Sequence, residues 1–208
     1  MQDTYFPSKV FEHAVHAIAK LPGIGNKTAT RLVMHILKQN EAYAQTLGEA
    51  IINVRKNINY CSSCHTISDS EICEICSNPL RNKHIVCVVE NLQDMLAIEN
   101  TGQYKGVYHV LGGIISPMEG ISAQNLTIDL LIKRVKEDAV SEIIFALPVT
   151  IEGDTTSYYI YKKLQDFPVT ISMLSRGVSV GNDLEYADEA TLARSIQDRI
   201  TYSGIQTK

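Results

Sequence analysis

The spacing of apolar residues changes character near residue 58. Before that point they recur with helical period. Ser8 suits a helix cap, and Phe11, Ala14, Val15 and Ile18 form one stripe after it. The string Leu21-Pro22-Gly23-Ile24-Gly25 breaks the pattern. A second helix is predicted from about Asn26, with Ala29, Leu32, Val33, Ile36 and Leu37 on one face. A third is predicted from Glu41 to Asn57, with Ala44, Leu47, Ile51 and Val54 inward. After a polar stretch over 61–76 the pattern becomes that of strands. His84-Ile85-Val86-Cys87-Val88-Val89-Glu90 is a continuous apolar run ending on a carboxylate, as a strand buried on both faces reads. Further strands are predicted from Gly106 to Leu111, Glu142 to Leu147 and Val169 to Leu174. Helices are predicted between them: Leu92 to Glu99, a stretch carrying Leu126, Leu130, Leu131 and Val135, and Thr155 to Leu164. A last helix runs from Glu189 to Arg199. Strands alternating with helices imply a mostly parallel sheet covered by helices. The expected class is therefore α+β in several parts.

Composition adds little to this. The chain is 45% hydrophobic and 20% charged, and no apolar run approaches the ~18 residues that cross a bilayer. Met1 to Tyr5 has neither a basic nor an apolar character, so the expected compartment is the cytoplasm and the five cysteines are expected as thiols or ligands rather than disulfides. Charge is more informative. The net charge is −4, yet the first sixty residues carry a net +3, leaving −7 on the remainder. A basic end suits an anionic partner, and the acidic remainder suits something else.

Three groups of residues carry candidate chemistry. Cys61-Ser62-Ser63-Cys64 and Cys73-Glu74-Ile75-Cys76 place two C-x-x-C pairs eight residues apart, a spacing that lets four thiolates surround one Zn²⁺ in a closed, structural site. Neither pair reads as a redox motif, which sits at a helix start after a strand. His65 is a spare candidate ligand, and Cys87 within its apolar run is a core thiol. In the second group, Gly23 and Gly25 flank Ile24 between two helices. That is a hairpin whose backbone N–H groups, with Lys27 and Arg31 one turn apart beside them, suit a DNA phosphate without reading bases. Third, Glu90, Glu152 and Asp154 follow strand carboxyl ends, where ligands of parallel sheets gather. They either hold Mg²⁺ through oxygen or serve as caps and solvated acids, Asp154 being placed to cap a helix from Thr155. His109, beside Tyr108 in a strand, is expected as a partly buried, satisfied side chain. No phosphate-binding G-x-x-x-x-G-K-[ST] loop, G-x-S-x-G elbow or H-E-x-x-H string is present.

The order of these motifs is more specific than any of them. Hairpin and knuckle precede Val88-Val89-Glu90, then Tyr108-His109-Val110-Leu111-Gly112-Gly113 with Ser116-Pro117, then Thr150-Ile151-Glu152-Gly153-Asp154-Thr155-Thr156. The chain closes with Arg176-Gly177-Val178-Ser179-Val180-Gly181-Asn182-Asp183-Leu184-Glu185-Tyr186-Ala187-Asp188-Glu189. Over essentially its whole length it resembles the RecR family of bacterial recombination mediators. The resemblance implies a helix-hairpin-helix domain over 1–58, a four-cysteine zinc knuckle over 59–79, a Toprim domain over 80–175 and a C-terminal assembly segment over 176–208. It implies rings, commonly tetramers, able to encircle DNA, and work with RecO and in some settings RecF to load RecA onto gapped single-stranded DNA. In this resemblance Lys27 and Arg31 contact DNA, Cys61, Cys64, Cys73 and Cys76 hold zinc, and Glu90, Glu152 and Asp154 form a face for RecO without catalysis, at the nucleoid when active. The rival is a small Toprim nuclease using those acids with Mg²⁺. Pro148-Val149 departs from the Asn-Pro that many members carry, and Asp154 from a frequent Glu.

Overall fold

The computed structural model describes residues 5–178, 181 and 183–199, so Ser179, Val180 and Asn182 of the closing string and residues 200–208 lie outside the described residues. The chain divides into two compact units, Met1–Ile58 and Asn59–Lys208.

The first unit is three helices: α1 (Lys9–Ala19), α2 (Asn26–Leu37) and α3 (Glu41–Asn57). Ser8 caps α1 by accepting from the Phe11 N–H, and Asn40 caps α3 by accepting from the Tyr43 N–H. Val15, Ala29 and Val33 are buried where α1 meets α2, with Phe11, Ala14, Ile18 and Ile24 packed around them. The predicted stripes hold only in part. Leu32 and Leu37 face outward, and α3 buries no residue: Leu47, Ile51 and Val54 are all exposed. An amphipathic pattern states that a face is apolar; it does not state which surface covers it.

The second unit opens with a short antiparallel pair, β1 (Asn59–Tyr60) and β2 (Ile67–Ser68), and a one-turn helix α4 (Glu74–Ser77). Then come β3 (Asn82–Val89), α5 (Leu92–Glu99), β4 (Gly106–Val110), α6 (Ile128–Glu137), β5 (Glu142–Ala146), α7 (Ile151–Leu164), β6 (Thr170–Met173) and α8 (Glu189–Gln197). The sheet is parallel throughout, in the order β4-β3-β5-β6. From β3 the chain steps one way to β4, then back across to β5 and β6. Right-handed crossovers in opposite directions put α5 on one face and α6 and α7 on the other. Both faces are thus covered, which is why β3 reads as unbroken apolar sequence. Val86 and Val88 join Val107, Leu111, Leu131, Ile143, Phe145, Ile160 and Leu164 on one side. Cys87 and Val89 join Met95, Tyr108, Val110 and Ala146 on the other. Burial pushes the Cys87 thiol up to about 12, as suits a core residue.

Two predicted details differ. Leu130 points outward on α6, and buried Arg134 takes part of the inward stripe. Helix α7 begins four residues earlier than predicted, at Ile151, because Thr150 is its cap, accepting from the Gly153 N–H at 3.1 Å. Glu152 and Asp154 therefore lie in its first turn, where acids complement the helix dipole, and Asp154 is not the cap. Gly153 is required here: a Cβ would sit 2.0 Å from the Pro148 carbonyl oxygen. No helix among the described residues is long and apolar enough to cross a membrane.

Candidate metal centre and nucleic-acid interface

The knuckle is built by two different turns. In the first, the Cys61 N–H donates to the Thr66 carbonyl at 2.8 Å and the His65 N–H to the Cys61 carbonyl at 2.9 Å, closing the loop between β1 and β2. His65 takes a left-handed φ of 61° and stacks on Tyr60 with ring centroids 4.8 Å apart, turned to an aromatic neighbour. In the second, Cys73 caps α4 and Cys76 lies inside it. This C-x-x-C therefore does open a helix, contrary to the expectation from sequence, but the helix is one turn long and follows a loop rather than a strand.

The four sulfur atoms lie within 4.8 Å of one another and all four residues are buried. None is in a disulfide. The Cys73 N–H points at the Cys61 sulfur at 3.3 Å and the Cys76 N–H at the Cys73 sulfur at 3.5 Å. Such N–H groups stabilise thiolates. Hydrogen bonding from Cys64 and Cys76 draws Cys73 well below the usual thiol range, and Cys64, paired with Cys73 at 3.6 Å, is pushed up. Four buried thiols this close cannot all ionise alone, whereas a soft divalent cation makes all four anions favourable. The donor set thus fits Zn²⁺, with every position of a tetrahedron taken. Among the described residues it is the one group of three or more His, Cys, Asp or Glu side chains placed to hold a metal.

The knuckle is fastened to the sheet. The Val110 N–H donates to the Cys64 carbonyl at 2.8 Å. The buried guanidinium of Arg134 donates from Nη1 to the carbonyls of Tyr108 at 2.7 Å and Ser63 at 3.4 Å. Sequence pattern does not single out Arg134, because an Arg between apolar residues of a helix looks like a solvated face. His109 is fully buried, its Nε2 bonded to Thr127, and burial lowers its pKa to about 4. That is a structural histidine, more buried than expected.

The hairpin between α1 and α2 is a tight turn. The Ile24 N–H donates to the Leu21 carbonyl at 3.1 Å, with Pro22 and Gly23 at the centre and Gly23 at φ +76°. Pro followed by a left-handed Gly is the type II arrangement. Ile24 tucks toward Val15 and Ala29. Gly25 precedes α2 without any side-chain cap, so the first N–H groups of that helix are left for an outside acceptor. A Cβ built at Gly23 or Gly25 would touch nothing within 4 Å, and Lys27 and Arg31 stand exposed on the first turns of α2.

Among the described residues the three acids do not form a group placed to hold a metal. Glu90 is held at the end of β3, its carbonyl accepting the Gly112 and Gly113 N–H groups at 2.9 and 3.1 Å. Burial raises its carboxyl pKa, and Asp94 and Glu119 raise it further; these are its acidic neighbours. Asp154 is paired instead with Arg176.

Comparison with known proteins accounts for the whole arrangement. Family models for the RecR helix-hairpin-helix, the RecR four-cysteine zinc finger domain, the Toprim domain and the RecR C-terminal segment match residues 11–55, 58–78, 84–175 and 177–200. The recombination protein RecR of Amoebophilus asiaticus is 55% identical over 197 residues, 95% of this chain and 98% of that one. Those of Flavobacterium johnsoniae and Bacteroides fragilis are 53% and 52% identical, over 95% and 96% of this chain and 96% and 97% of theirs. Hairpin, thiol knuckle, parallel sheet and closing segment follow one another as in these relatives along almost their full length, and the chain belongs to the RecR family of recombination proteins.

Proposed function

We propose that this chain is a non-catalytic mediator of recombinational DNA repair, in which the hairpin grips DNA backbone and the sheet unit recruits protein partners. The observation that carries this reading is the open hairpin: uncapped helix N–H groups, two glycines with nothing over them, and exposed Lys27 and Arg31 on the same helix start. Dipole, amides and cations then meet one phosphate track, a kind of contact that positions the protein without reading bases. In the same reading the chain divides into a DNA-binding part to residue 58, a knuckle to 79, a Toprim part to 175 and an assembly segment beyond it. Zn²⁺ on Cys61, Cys64, Cys73 and Cys76 holds the knuckle as a rigid boss on the sheet.

The exposed surface of the helical unit supports the reading that the chain assembles with further copies into a ring. Helix α3 presents Leu47, Ile51 and Val54 outward, and the groove between α1 and α2 is lined by Phe11, Ala14, Ile18, Val33, Met34 and Leu37. Exposed apolar surfaces of this kind mark interaction sites, and in this reading another copy covers them. The partners proposed are RecO, docking at the face that carries Glu90, Glu152 and Asp154, and in some settings RecF; together they help to load RecA onto gapped single-stranded DNA.

The test is DNA binding against salt. The double variant Lys27→Ala with Arg31→Ala is expected to bind every sequence more weakly and to lower the slope of log K against log salt by about 2 for duplex DNA. An unchanged slope would remove the hairpin from the interface. Strand cleavage by the wild-type protein with Mg²⁺, lost on Glu90→Gln, would replace the mediator with a nuclease.

A further inference from the structure

We infer that Asp154 is the internal anchor of the C-terminal segment, clamping Arg176 and drawing in Arg194, rather than a ligand for a divalent cation. Arg176 stands just beyond β6, where the family's C-terminal segment begins. Its side chain is only 12% exposed, against 48% for that of Asp154, which it meets in two contacts, Nη2 to Oδ1 at 2.5 Å and Nη1 to Oδ2 at 3.4 Å. Both carboxylate oxygens are thereby engaged, the two-pronged geometry that makes Arg–carboxylate pairs strong and specific. Arg194, on α8, lines the same cavity as Arg176 and lies near enough to lower the pKa of the same carboxylate, without an ion pair to it.

Among the described residues no other ion pair reaches the segment. Helix α8 buries no residue. Beneath it lies a cavity of about 330 Å³, with Phe145, Leu147, Met173 and Leu174 on the sheet side and Thr191 and Arg194 on the helix side. A helix that buries no residue fully gains little from apolar burial, so the charged contacts at Asp154 carry more of the weight of holding it down. The same contacts explain why the Toprim-type acids do not fit Mg²⁺ here. An ion entering at Asp154 must displace Arg176 and approach Arg194, and Glu90 keeps company with Asp94 and Glu119 instead. Sequence separation hid this pair: Asp154 and Arg176 are 22 residues apart and meet only because β6 returns the chain beside the start of α7.

Hydrogen exchange of the amides over 183–199 tests the clamp in the full-length protein. Asp154→Asn, which keeps size and shape, is expected to speed exchange there about three- to tenfold. Raising NaCl from about 0.1 M to about 1 M, which shortens the screening length from about 10 Å to about 3 Å, should act in the same direction on the wild type and not on the variant. Glu152→Gln, two residues away in the same helical turn, should leave exchange unchanged. Charge reversal, Asp154→Arg with Arg176→Asp, should restore protection that Asp154→Arg alone removes. Unchanged exchange in Asp154→Asn, or an equal effect from Glu152→Gln, overturns the inference. So does Mg²⁺ binding by calorimetry in the wild type that disappears in Asp154→Asn.

Discussion

The helical unit and the sheet unit spend their apolar residues in opposite ways. The sheet unit encloses them: both faces of the four strands are covered, and thirteen buried residues form one continuous cluster on the side of α6 and α7. The helical unit buries Val15, Ala29 and Val33 and leaves most of its remaining aliphatic surface facing out, with none of α3 buried. One unit encloses its apolar surface and the other leaves much of it exposed, as the proposed assembly requires. A mediator of the kind proposed uses both, a rigid body to carry partners and an unfinished surface that is completed on assembly.

Truncation separates the two most sharply. Leu131→Ala, at a fully buried position of the sheet unit, is expected to cost about 2–5 kcal/mol, read from the urea midpoint at constant slope. A loss below about 1 kcal/mol would mean the sheet core tolerates a cavity and the contrast fails.

Proton linkage gives a smaller effect confined to the same unit. His109 is neutral in the fold, with its pKa lowered to about 4 by burial, while in the unfolded chain it titrates near 6.5. The unfolded state therefore binds a proton that the folded state refuses. The contribution is complete above about pH 6.5 and is lost progressively as pH falls toward 4. Between pH 7 and pH 5 the wild type should lose about 1–2 kcal/mol more than His109→Gln. Equal pH slopes for the two proteins would show that burial does not hold the imidazole neutral.

The smallest stability effect belongs to the helical unit, where the informative readout is association. Ile51 is 65% exposed, so Ile51→Ser should change the stability of dilute protein by no more than about 0.5 kcal/mol. It should nevertheless lower the mass measured by light scattering at high concentration. A large loss of stability with unchanged mass would place Ile51 in an internal core and erase the distinction between the units.

Several local features were readable because their causes are local. The Ser8 cap, the Pro22-Gly23 turn and the limits of α3 and α5 follow from side chains a few residues apart. The start of α7 was missed, although Thr150 followed by Glu152 and Asp154 marks it. Pro148 and Gly153 masked it, since they read as loop residues while in fact packing against each other. The outward turn of α3 and of Leu130 was not legible, because periodicity reports an apolar stripe and says nothing of what lies opposite.

Sequence alone therefore determined the chemistry that depends on residue type and short spacing: the thiol tetrad, the hairpin with its two cations, the alternation of strands with helices, and the family. Tertiary structure alone decided which charges meet. It set Arg134 between the carbonyls of Ser63 and Tyr108, drew Asp94 and Glu119 to Glu90, and gave Asp154 to Arg176. Those pairings depend on how crossovers return the chain across the sheet, and a carboxylate carries no mark in the sequence of the partner it will find.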